Sequence, residues 1–242
     1  MANDREMISE LLLPGVALYS VEPHIYSVYP DSEPIHDYDQ AVDFYDRVIG
    51  NLIYNWIFWG YSISEFTDFI RMVIARAGSD PILDAGCGSL VFTAEPYSAY
   101  RDRPVVMLDQ SIEMLRAARS KLAKLCTGIP PNIVFLQGDI LELPFQPQSF
   151  STVVSMSVLH VLDDGRTMLG ELKRVWDEEN GNLAVTSLVL GRAIGDRYLR
   201  FLRKKEGVTD PRTAGEVVAF FSEMDLSTDH YVRGNMMFIH SG

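Results

Sequence analysis

The chain has 242 residues and a mass of 27.3 kDa, which suits one large α/β domain or a domain with an elaboration, and its 47% hydrophobic content excludes disorder as its main character. Lysine and arginine number 21 against 33 acids, a formal charge of −12, so bulk electrostatics oppose nucleic acid and anionic lipid as partners and leave room only for a local basic patch. Two cysteines, Cys87 and Cys126, make neither a disulfide framework nor a metal cage; they read as reduced thiols of a cytoplasmic protein, and no metal site is expected.

Residues 1–35 carry scattered Pro, Asp and Ser with Tyr19, Tyr26 and Tyr29, and predict a covering arm or loop. The acids Asp4, Glu6 and Glu10 and the short apolar run argue against a signal peptide. Residues 37–77 predict two helices. Val42, Tyr45, Val48, Ile49, Leu52 and Ile53 recur near helical spacing, and a second run from Ser62 or Ser64 carries Phe66, Phe69, Ile70, Val73 and Ile74 towards Gly78, a natural terminating glycine. Between them Tyr54, Trp56, Phe58, Trp59 and Tyr61 form a dense aromatic cluster, which suits either a lid or a permanent glue between helices and sheet. No stretch reaches the ~20 apolar residues of a membrane span, so stable membrane insertion is not expected.

From Pro81 the pattern alternates. Strand-like segments at 81–84, 104–108, 132–136, 151–156 and 182–189 enclose helical stretches near 92–100, 111–126 and 164–177, which implies crossover connections and a mostly parallel sheet. The tail "HYVRGNMMFIHSG" reads as an antiparallel hairpin around Gly234-Asn235. The basic group Arg197, Arg200, Arg203, Lys204 and Lys205 reads as a solvated helix face.

The first of these strands runs into "LDAGCGSLV". In an open parallel sheet the ligand crevice lies beyond the carboxyl ends of the strands, and Asp84 closes this one, with Gly86 and Gly88 forming the turn. A dinucleotide fingerprint would need a third glycine where Val91 stands, and no Gly-Lys-Ser/Thr follows for a phosphate loop. Asp109 closes the next strand about 20 residues on, where a carboxylate can accept from both ribose hydroxyls; by itself it is also a good helix-start acid. Gly138-Asp139 closes the third strand; alone, Asp139 is a turn aspartate.

Together "LDAGCG", "LDQSIEML", "GDILELPF" and "SFSTVVSMSVLHVL" resemble the motifs of class I S-adenosylmethionine-dependent methyltransferases, most closely the small-molecule branch typified by ubiquinone and menaquinone biosynthesis. The resemblance is strongest from 81 to 165 and implies a Rossmann-like, doubly wound, mostly parallel sheet of about seven strands with the antiparallel hairpin and an N-terminal helical cap. It divides the chain into an arm and cap or lid, 1–77, and a cofactor-binding domain, 78–242. It also implies that S-adenosylmethionine sits on Asp84, Ala85, Gly86, Cys87 and Gly88 at its methionyl half. Asp109, Gln110 and Met114 would flank the adenosine, and Gly138, Asp139 and Ile140 the adenine, with Ser155 and Tyr61 further candidates.

The resemblance implies methyl transfer by in-line displacement to a small-molecule acceptor. A cofactor-binding relative without methyl transfer is the alternative, supported by Leu90, which stands where the family commonly has a third glycine and brings a side chain towards the pocket. His160 is the one histidine placed for catalysis, against the plainer role of a helix-start histidine bonded to backbone. A homodimer is compatible with all of this.

Overall fold

A computed structural model describes residues 2–31, 50–76, 81–101, 103–205 and 207–241. Helix α1 (Ala2–Ser9) precedes a hairpin of β1 (Tyr19–Glu22) and β2 (Ile25–Ser27). The short α2 (Leu52–Tyr54) continues into a wide π-helical turn, Asn55–Trp59, and α3 spans Ile63–Ala75. Then come β3 (Ile82–Ala85), α4 (Ala94–Ala99), β4 (Val105–Asp109), α5 (Ile112–Leu125), β5 (Ile133–Gln137), β6 (Thr152–Met156), α6 (Gly165–Val175) and β7 (Asn182–Leu188). The chain closes with α7 (Ala193–Lys204), α8 (Ala214–Glu223), β8 (Asp229–Arg233) and β9 (Met236–His240).

Among the described residues nine strands join one sheet in the order β1-β2-β5-β4-β3-β6-β7-β9-β8. From β2 to β7 each neighbouring pair is parallel, and the two ends are antiparallel hairpins. Strands β4 and β5 follow β3 to one side, β6 and β7 to the other, so the order reverses at β3. That reversal opens a crevice at the carboxyl ends of the strands. The central strands are mainly apolar on both faces and buried except at Asp109 and Met156 at their carboxyl ends, as helices covering a parallel sheet require.

Helix starts are specified locally. Ser62 caps α3 in a reciprocal box with Glu65, the Ser111 hydroxyl accepts from Met114 N–H at 3.2 Å at the start of α5, and Asp164 accepts from Thr167 N–H at 2.9 Å at α6.

The strand count departs from the expected seven. The extra pair, β1 and β2, lies in the stretch expected to be arm or loop, where β2 pairs in parallel with β5 (Ile25 opposite Phe135, Ser27 opposite Gln137). A strand of three residues is too short to display an alternating pattern, so only its partner β5 explains it. Buried Ile25, Tyr26 and Ser27 show that this part of the arm is integral to the sheet. The first helix expected over 37–77 falls mostly outside the described residues, as does Gly78. Where described, it is the short α2 and its π-turn.

Candidate functional site

The turn after β3 is shaped by backbone angles few residues tolerate. Gly86 (φ +74°) and Gly88 (φ +53°) are both left-handed. The Gly86 and Cys87 N–H groups donate to the Leu108 carbonyl at 2.8 and 2.9 Å, which folds the turn back across β4. A Cβ on Gly86 would lie 2.5 Å from Val158 Cγ2, whereas one on Gly88 would meet nothing within 4 Å. Gly86 is thus required by the protein's own packing, and the space over Gly88 is open. Leu90 is left-handed too (φ +56°), at the position where a third glycine is commonplace in the resembling family. Its side chain, expected towards the pocket, is buried in the apolar cluster that also holds Tyr61, Phe66 and Leu115.

Asp109 fastens this turn to the next helix. One carboxylate oxygen accepts from Gly88 N–H at 2.8 Å and the other from Ser111 N–H at 2.9 Å. Lys121, from α5, donates to both the carbonyl and the hydroxyl of Ser89 at 3.0 Å.

Asp84 is almost wholly buried, and its Oδ1 has no hydrogen-bond partner among the described residues. Burial, reinforced by the charge of Asp109, pushes its pKa up to about 7, and the Tyr97 hydroxyl opposes the rise. That hydroxyl neighbours the carboxyl without hydrogen-bond alignment, since both atoms lack a geometrically sound partner. A buried acid with an unused acceptor calls for a cationic or donor group from outside the chain. Burial and the two acids also raise the Cys87 thiol well above its ordinary range, so it is an inert part of the turn.

The end of β5 joins the same cluster. Gly138 N–H donates to the Asp109 carbonyl at 3.1 Å, and the Gln137 amide donates to the Gln110 carbonyl at 3.1 Å. Asp139 accepts from Leu141 N–H at 2.8 Å, the turn role expected of it alone, while Ile140 and Met114 are buried nearby in chain and sheet. Ser155 is spent internally, donating to the Ala85 carbonyl at 2.8 Å as a strap between β6 and β3.

Sequence reasoning missed the arm's contribution. The Ser27 hydroxyl donates to Gln137 Oε1 at 3.0 Å and accepts from Tyr29 N–H at 3.0 Å. Continuing the β2–β5 register by two residues sets Tyr29 opposite Asp139. Burial and the charges of Asp139 and Glu142 hold the Tyr29 phenol above its usual pKa, against the nearby Asp139 backbone, which favours the phenolate. Only the β2–β5 pairing could have revealed this.

Two candidates stand apart from the cluster. The Tyr61 hydroxyl donates to buried Asn55 at 2.8 Å and its ring packs edge-on against Phe66, a core position. His160 Nδ1 accepts from Leu188 N–H at 3.2 Å, so Nε2 holds the ring proton and the residue can donate but not act as a base there. Enclosure lowers its pKa to about 4, which keeps it neutral. It lines a small cavity with Ser187, Leu188, Thr209 and Arg212.

Residues 82–179 match the family model described as a methyltransferase domain. The uncharacterized methyltransferase YodH of Bacillus subtilis (strain 168) is 35% identical over 94 residues, 39% of this chain and 38% of YodH. The demethylmenaquinone methyltransferase of Renibacterium salmoninarum is 30% identical over 127 residues, 51% of this chain and 49% of the relative. The chain thus spans less than half the length of these curated relatives. Among solved structures, the YcgJ protein of Bacillus subtilis superimposes with a TM-score of 0.57 at 22% identity, covering 70% of this chain and 71% of that one, a likeness of fold.

Proposed function

We propose that this chain, whose strand-and-turn core is a methyltransferase domain, binds S-adenosylmethionine and methylates a small-molecule acceptor. One observation carries the reading: Asp84, Asp109 and Asp139 close three adjacent parallel strands around a left-handed glycine turn, with the buried Asp84 Oδ1 unpartnered among the described residues. In this assignment Asp84 faces the cofactor's amino end, the backbone of Ala85 to Gly88 follows its methionyl chain, and Asp109 takes the ribose hydroxyls. Gln110 and Met114 flank the adenosine, while Asp139, Ile140 and Tyr29 border the adenine. The donor set fits: acceptor-only carboxylates suit an ammonium and a diol, and the turn has no pyrophosphate seat.

The bound cofactor would supply an activated methyl on a sulfonium. The chain's own task is alignment and exclusion of water. No base is assigned. His160 presents an N–H, which suits an acceptor carbonyl or hydroxyl oxygen better than proton removal. Residues 1–77 act as arm and cap to a cofactor domain over 78–242, and within the cap the two faces of residues 52–61 differ. Trp59 and Tyr61 are core, because the Asn235 N–H donates to the Trp59 carbonyl at 2.7 Å and a Cβ on Gly234 would collide with that backbone. The exposed face is the part free to cover the crevice. Two free thiols support action in the cytoplasm.

The test is turnover: S-adenosylhomocysteine should accumulate when the protein meets S-adenosylmethionine and a metabolite library. Thermal stabilisation by S-adenosylhomocysteine without turnover against any acceptor class would favour the non-catalytic alternative. Stabilisation by NAD instead would refute both.

A further inference from the structure

Beside the crevice, α2 with its π-turn and α7 meet through rings rather than hydrogen-bonded backbone. Tyr198 packs against Phe58 (centroids 4.8 Å apart), Trp59 (5.3 Å) and Tyr54 (6.0 Å), and stacks on Phe201 at 6.1 Å. Outward from this ridge the side chains of Leu52 (64% exposed), Ile53 (69%), Trp56 (70%) and Ile57 stand in solvent, as do Ile194 and Phe201 on α7. Isolated exposed apolar residues are ordinary, but six of this size on two touching elements are not.

The charge around them is opposite to that of the molecule. Residues 193–205 hold five basic residues against one acid, Asp196, in a chain of formal charge −12. Asp196 is turned inward, accepting from Gly191 N–H at 2.7 Å and from the Asn235 amide at 2.9 Å. Arg203 pairs with Asp210 at 2.7 Å, while Arg197, Arg200, Lys204 and Lys205 are exposed and make no ion pair among the described residues. At helical spacing Ile194, Arg197, Phe201, Lys204 and Lys205 share one side of α7. Aromatic and aliphatic side chains interleaved with unpaired cations, with an exposed tryptophan at the margin, fit the boundary between lipid headgroups and acyl chains. The acids elsewhere do not forbid this, because salt screens charges more than about 8–10 Å away.

We propose that this surface docks the protein on an anionic phospholipid bilayer, peripherally and reversibly. No described helix is long and apolar enough to cross a membrane, so the contact proposed is peripheral. Because α7 follows the carboxyl end of β7, docking turns the crevice side of the sheet towards the lipid, where an amphiphilic acceptor would be met. The proposal goes beyond the assigned chemistry and does not depend on it.

The full-length chain carries its own reporter. Of its three tryptophans Trp59 and Trp176 are buried and Trp56 is exposed. Vesicles of phosphatidylcholine with phosphatidylglycerol should co-sediment the protein and shift Trp56 emission to the blue, whereas pure phosphatidylcholine should bind at least tenfold less. Trp56→Phe should abolish the spectral shift and keep most of the sedimentation. The triple variant Arg197→Glu, Arg200→Glu, Lys204→Glu should lose at least fivefold per removed charge, the scale of one surface cation at an anionic leaflet. Trp56→Glu with Phe201→Glu should lose binding as well, with an unchanged melting curve showing the fold intact. Equal partition to both vesicle types, or to neither, would overturn the proposal. So would a Trp56 already shielded from aqueous quencher in the free protein, or shielded only as protein concentration rises, since the patch would then be covered by the chain itself or by a second copy.

Discussion

The two flanks of β3 are built on different terms. Towards β4 and β5 the strand ends are laced by backbone N–H hydrogen bonds, Gly86 and Cys87 to Leu108, Gly88 and Gly138 to Asp109. Towards β7 the chain runs on into α7, whose contact with α2 is a stack of rings that leaves Trp56 and Phe201 in solvent. The first flank needs particular backbone angles and so tolerates few residues. The second is held by side chains, the ring contacts and a Tyr54–Tyr198 hydroxyl hydrogen bond at 3.1 Å, and asks less of the backbone. A rigid seat on one side and an adaptable, partly apolar wall on the other suit a fixed ligand and a variable one respectively.

The comparison breaks most readily at Gly86. A valine there would be forced into left-handed backbone and against Val158, which should cost about 3–5 kcal/mol of stability. In denaturant titration the midpoint should fall and any shift produced by S-adenosylhomocysteine should disappear; a variant that kept both would make the turn a loose connection.

Next in size is Asp84. Its native pKa near 7 stands above the ordinary 3.8, so the folded chain holds an extra proton between those values. The unfolded state therefore binds fewer protons, and stability from this group falls as pH rises from about 4 to about 7, a loss on the order of 4 kcal/mol above that window. Asp84→Asn should flatten that part of the pH dependence and raise the ligand-free melting temperature at pH 8, while weakening cofactor binding. Cofactor affinity of the native chain should climb through pH 7 as the carboxylate forms. Identical pH–stability curves for the two proteins would show that Asp84 ionises freely.

The smallest effect tests the strain at Leu90. Truncating this buried side chain to alanine should cost about 3 kcal/mol, yet glycine should be better than alanine by about 1 kcal/mol, the reverse of the usual rank, because φ is +56°. If alanine proves the more stable of the two, the left-handed turn relaxes without a glycine.

Legibility followed the same division. Asp84, Gly86, Gly88 and Asp109 could be placed from sequence because the demands on them are local: a left-handed angle, a strand end, a helix start. Five of the six parallel strands, β3 to β7, and three crossover helices fell within about a residue or two of their predicted bounds for the same reason. What stayed hidden depended on distant partners. Residues 25–27 are a strand only beside β5, Tyr29 reaches Asp139 only through that register, and Ser155 was claimed by the Ala85 carbonyl. The two faces of the aromatic segment could not be separated either, since the wide π-turn after Tyr54 departs from the 3.6-residue period by which helical faces are read.

The most direct measurement is calorimetric titration of S-adenosylhomocysteine into the native chain and into Asp109→Ala. The variant gives up two backbone bonds, to Gly88 and Ser111, so its unliganded stability should fall by about 1–3 kcal/mol and must be measured alongside. With the folded fraction confirmed, affinity should drop by a further 2–4 kcal/mol, roughly 30- to 1000-fold, the scale of two charge-assisted hydrogen bonds to a ribose. Equal affinities in two folded proteins would contradict the assignment and leave the carboxylate a brace for the glycine turn.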